Sequence, residues 1–108
     1  MAASGSVHIP WYATLFRADR FADALQEIAP LGIRYGATSY HVYRGRDDQY
    51  KFLQTADFED KLQFERYWNG PEFTDWRAKY TSWFQVPVLY VWNDIVAQGV
   101  TELVQSEL

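Results

Sequence analysis

The chain has 108 residues, a formal net charge of −4 and a hydrophobic content of 48%. That suits one domain with a real core and speaks against wholesale disorder. No cluster of Lys or Arg stands out, which argues against a nucleic-acid surface, and the lack of cysteine excludes disulfides, thiolate catalysis and cysteine-ligated metals.

Aromatic residues make up 19% of the chain, a load that favours a large apolar cavity, an oligomer interface, or both. The start, MAASGSVHIP, lacks the basic-then-apolar layout of a signal peptide. No apolar run approaches the ~20 residues of a membrane helix. The expectation is a soluble, cytoplasmic protein with no membrane partner.

Residues 1–6 read as a flexible N-terminal tail, residues 7–96 as the folded domain, and residues 97–108 as a C-terminal arm or short helix that packs on a dimer partner. Residues 7–18 (VHIPWYATLFRA) are rich in β-formers and predict strand one, with Pro10 marking an edge position or a late start. Asp19 is the expected N-cap of a helix to about Ala29, in which Phe21, Ala24, Leu25 and Ile28 recur at helical spacing. Pro30 and Gly32 stop it.

Residues 36–44 and 50–58 predict strands two and three, joined as an antiparallel hairpin by the turn-forming GRDDQ. A second helical region starts near Glu59 and is interrupted at Asn69-Gly70-Pro71. From there Phe73, Trp76, Tyr80, Trp83 and Phe84 step by three and four, predicting one aromatic-faced helix to about Phe84 with Asp75, Arg77 and Lys79 on its wet face. Pro71 suits a first helical position. Residues 86–94 (VPVLYVWND) predict strand four.

The order β-α-β-β-α-β predicts an α+β, ferredoxin-like fold: a four-stranded antiparallel sheet with helices on one face. Both alternating sets of strand residues are apolar or aromatic. Trp11, Ala13 and Leu15 alternate with Tyr12, Thr14 and Phe16, and Val86, Val88, Tyr90 and Trp92 alternate with Leu89 and Val91. A second copy of the sheet, packed on the free face about a two-fold axis, would cover the surplus, so a homodimer is expected.

Three stretches resemble a known family: SYHVYRGRDD, YKFLQTADFED, and FERYWNGPEFTDWRAKY followed by a valine-proline strand start. Over roughly residues 9–94 the chain is similar to the dimeric α/β-barrel superfamily, most of all to its antibiotic biosynthesis monooxygenase (ABM) branch. The resemblance implies a homodimeric α/β barrel with a pocket in each protomer, between the sheet and its two helices. It also implies an enzyme that needs no metal or flavin and oxidises a phenolic or quinol substrate through its electron-rich anion. The haem-degrading branch wants an asparagine on strand one, a tryptophan near the end of strand three and an axial histidine on the second helix. Those positions fall on Tyr12, Phe58 and Arg77, so haem degradation is disfavoured.

The site residues expected on this basis are His41 and Tyr12 as proton-handling groups and Phe58, Trp68, Trp76, Tyr80 and Arg44 as substrate contacts, with no metal and no cofactor. Each has a plainer alternative. His41 suits base chemistry near neutral pH, yet a strand histidine serves equally at a surface or interface. His8, at the frayed start of strand one, carries no expectation, and two isolated histidines make no metal site. Trp76 and Tyr80 are as readily core as pocket wall. Trp68 is either a pocket lip or a packed hinge. Arg44 either stabilises an anionic substrate or pairs with Asp47 or Asp48. The functional alternative to a monooxygenase is a non-catalytic dimer that binds a small apolar or aromatic ligand, or a structural domain.

Overall fold

Residues 4–101 are described in the computed structural model. Its elements are β1 (Gly5–Tyr12), α1 (Ala18–Ile28), a 3-10 stretch (Ala29–Tyr35), β2 (Ser39–Arg44), β3 (Lys51–Phe58), α2 (Lys61–Trp68), α3 (Pro71–Lys79), a 3-10 turn (Thr81–Trp83) and β4 (Val91–Asp94). The strands form one antiparallel sheet in the order β2-β3-β1-β4. This is the expected ferredoxin-like α+β arrangement, with the second helix broken into two.

Alternation along the strands sets the layers. Val7, Ile9 and Trp11 of β1 and Phe52, Gln54, Ala56 and Phe58 of β3 point toward the helices and are buried. Residues between them, with His41 and Tyr43 of β2, form the opposite, open face. The helices close the buried side with Phe21, Leu25 and Ile28 from α1, Phe64 and Tyr67 from α2, and Phe73 and Trp76 from α3.

Several boundaries differ from the sequence expectation; strand one, expected to reach residue 18, already ends at Tyr12, where the chain turns toward the first helix through the left-handed Phe16. Gly5 and Ser6 are strand residues rather than tail, because Asp57, Phe58, Asn93 and Asp94 pair with them. Asp19 does not cap α1. The chain enters that helix through Phe16 in the left-handed region (φ 68°), so the helix starts at Ala18 and Asp19 lies in its first turn. A carboxylate there still complements the helix dipole.

The aromatic helix ends at Lys79 instead of running to Phe84. Beyond it the backbone is claimed by the continuation of β1: Thr14 donates its N–H to Trp83 (3.0 Å) and its hydroxyl to Ser82 (2.8 Å), and Gln85 donates to Tyr12 (2.9 Å). Phe84 is therefore extended and bridged to Ala13.

Strand four is shortened to Val91–Asp94. Ala13 donates to Tyr50 (2.8 Å), so odd positions of this strand turn their N–H groups to β3 and even ones to the far side. Pro10 has none to give there. β4 pairs only with Gly5–His8, and the chain before it meets the continuation of β1 again only at Phe84–Gln85, likewise antiparallel, leaving residues 86–90 outside the sheet opposite Pro10. Residues 97–101 carry no regular structure, and residues 102–108, where Leu103 and Val104 fall, lie outside the described range.

Candidate functional site

The interior between sheet and helices is packed with side chains. Trp11 lies against Phe21, Trp76 and Phe84 in edge-to-face contacts with centroids 5.7, 5.4 and 5.0 Å away. A buried polar chain ties this packing together. The Trp11 indole N–H donates to Gln54 Oε1 (3.0 Å), Gln54 Nε2 donates to the Tyr67 hydroxyl (3.3 Å), and that hydroxyl donates to the Ile28 carbonyl. Burial raises the Tyr67 phenol well above its ordinary pKa, so it stays a neutral donor.

The residues expected to act together are distributed over four places. Phe58, Trp76 and Tyr80 belong to the packed interior. Phe58 packs on Phe64, Trp76 donates its indole N–H to the Ala24 carbonyl (2.8 Å), and the Tyr80 hydroxyl lies 3.0 Å from Glu27 Oε1. His41 and Tyr12 lie on the open face of the sheet. His41 stacks on Tyr43 at 5.5 Å, and the Tyr12 hydroxyl donates to Asp48 Oδ2 at 2.5 Å. That bond raises the Tyr12 pKa and holds the Asp48 carboxyl below its ordinary value. Arg44 points to the helix side. It pairs with Asp19 (2.9 Å), not with Asp47 or Asp48, and its Nε donates to the Gln49 carbonyl (2.7 Å).

Trp68 stands at the edge of the packing, and beside it the surface opens. A cleft of about 390 Å³ is lined by Trp68, Arg77, Ala78, Thr81, Phe84, Val86 and Val88. It exists because of the departures described above. Gly70 allows the tight corner between α2 and α3: a Cβ there would meet the Arg66 carbonyl at 2.7 Å and the Tyr35 hydroxyl at 2.8 Å. The early end of α3 turns Phe84 inward, and the chain opposite Pro10 swings out to form the far wall.

Arg77, expected on a wet helix face, is half-buried with its guanidinium 3.9 Å from the centre of the Trp68 ring. Helical spacing does not show this, because the partner lies across the Asn69-Gly70 corner. Phe84, Val86 and Val88 were equally hidden from a periodic reading. A larger depression of about 450 Å³ borders Phe16, Asp19, Arg44 and Tyr50, but Arg44 there is already paired.

No family model matches the sequence, and no curated protein matches it. Solved structures do. A Nitrosomonas europaea protein named as a candidate antibiotic biosynthesis monooxygenase is 14% identical, with 86% of this chain and 99% of that one covered at a TM-score of 0.77. SnoaB, a cofactor-independent oxygenase from Streptomyces nogalater, is 14% identical, with 90% and 97% covered at 0.76. A Nitrosomonas europaea protein of unknown function is 16% identical, with 93% and 96% covered at 0.78. At these identities the likeness establishes architecture: this chain has the ferredoxin-like fold of the antibiotic biosynthesis monooxygenase proteins.

Proposed function

We propose that the protein is a cofactor-independent monooxygenase of the ABM type that oxidises a small aromatic substrate of the quinol or anthrone class. The observation that carries this reading is the cleft beside Trp68. It is walled by aromatic and aliphatic side chains and holds one cation, Arg77, on a fold shared with a cofactor-independent oxygenase. With an anthrone, the activated ring CH2 gives up both hydrogens and gains one oxygen atom of dioxygen as a carbonyl; with a quinol, a ring C–H gains the oxygen and the ring is oxidised to a hydroxyquinone, two hydrogens again leaving. The second oxygen atom leaves with those hydrogens as water, so the substrate supplies all four electrons. What the protein contributes is binding and orientation.

This reading relocates the substrate from the packed interior to the cleft. Trp68 is its retained contact. Trp76 backs the cleft wall at Phe84, Phe58 and Tyr80 stay in the packed interior, and His41 and Tyr12 serve a different surface. That surface, the open face of the sheet, pairs with a second copy of the chain. Tyr12, Tyr43 and Val91 are exposed there, and Lys51 and Asp57 stand at opposite ends of β3 on the same face.

A non-catalytic ligand carrier is the second reading, supported by the lack of any carboxylate or imidazole among the cleft-lining residues. Oxygen uptake with a panel of anthrones and quinols separates the two. Uptake by wild type that is lost in Trp68→Ala and kept in His41→Ala supports the enzyme. No uptake with any member of the panel rejects it.

A further inference from the structure

Arg77 is short of partners. Among the described residues it forms no ion pair, and its Nη1 is buried without a hydrogen bond. The guanidinium lies over Trp68 and 5.0 Å from the Phe73 ring centre, so aromatic faces, not carboxylates, surround it. Burial lowers its pKa, yet a guanidinium stays charged at any physiological pH. Arg44 by contrast is compensated by Asp19 and a carbonyl; Arg17 also leaves its Nε buried without a partner, but it does not line this cleft. A partly desolvated cation without a carboxylate partner carries a free-energy cost that an anionic oxygen, meeting the part of the guanidinium that lines the cleft, would lower.

We propose that this cleft is a receptor for aromatic anions: a planar ring system seated against Trp68, Phe84, Val86 and Val88, with a carboxylate or phenolate oxygen on Arg77. The proposal rests on the reading that this cleft is the ligand site, and it names the charge state that site selects. The walls supply area without direction, because every aromatic face can pack on them. Direction comes from the guanidinium, whose planar fork matches a flat oxyanion better than an ammonium would. The same contact would draw a weakly acidic phenol or anthrone toward its anion, the form that reacts with dioxygen. No side-chain base is then required in the cleft.

Calorimetric titration with 2-naphthoate and with its neutral isostere 2-naphthamide tests the proposal without any oxygen chemistry. Wild type should bind the carboxylate at least about tenfold more tightly than the amide, the scale of one charge-assisted hydrogen bond. In Arg77→Gln that preference should vanish, with the amide affinity unchanged within about twofold. Equal affinities for the two probes in wild type, or binding of neither, overturns the proposal, and that comparison does not depend on the variant folding. A charge preference without oxygen uptake would reject the monooxygenase and leave the receptor standing. Uptake without a charge preference would do the reverse.

Discussion

At the scale of single residues, most buried polar groups are satisfied, and among the described residues two guanidiniums, those of Arg17 and Arg77, leave a buried nitrogen without a partner. Gln54 is 1% exposed and joins β3 to the Trp11 indole and the Tyr67 hydroxyl. Replacing it with Leu strands a buried indole N–H. Gln54→Leu should therefore lower unfolding stability by about 1–3 kcal/mol in chemical denaturation. Tyr12 and Asp48 give a pH-dependent case on the surface. The carboxyl is held below its ordinary value chiefly by the Tyr12 hydrogen bond, so its contribution is present above that ordinary value and lost as pH falls through the depressed one. Tyr12→Phe should flatten the acid limb of the stability–pH curve and also remove the change at strongly alkaline pH, where the raised Tyr12 phenol would ionise, leaving the neutral range alone. Urea melts at a series of pH values read this directly.

At the scale of elements, much was legible because periodicity reports burial. The buried faces of α1 and β3 follow their apolar spacing; the capping box at α2, in which the Gln63 N–H donates to Asp60 at 3.0 Å, was not read from the sequence. Asp60→Ala should cost about 1 kcal/mol in thermal unfolding. What periodicity could not show were the places where two segments compete for the same backbone. Phe84 fits the helical spacing of Phe73, Trp76 and Tyr80, but the chain after Tyr80 bonds to Thr14 and Tyr12 instead. Pro10 ends the reach of β4 from a distance of some eighty residues in sequence, a constraint that only pairing reveals. The cleft arises from those two non-local events. Trp68 was identifiable by its position before the Asn69-Gly70 corner, and Arg77 was not. Gly70→Ala should destabilise the corner by about 1–3 kcal/mol, since the added methyl meets backbone on one side.

At the scale of the whole molecule, the sheet has one face closed by helices and one left open. The sequence suggested an open face that was apolar throughout. The register places His41, Thr55 and His8 in one row across it, so polar groups interrupt the tyrosines and aliphatics. A homodimer through this face predicts a sedimenting species of about twice the 12.7 kDa chain mass at micromolar concentration. A monomer under those conditions refutes the pairing without touching the cleft.

The central claim is that ligand chemistry belongs to the Trp68–Arg77 cleft and neither to the packed interior nor to the open face. Titrating 2-naphthoate into uniformly 15N-labelled protein and following its amide and indole resonances tests this most directly. Shifts are expected at the Trp68 indole and at the amides of Arg77, Ala78, Thr81, Phe84 and Val88, with Tyr12, His41 and Thr55 unmoved. Shifts centred on Tyr12, His41 and Thr55, or none at all, would contradict it.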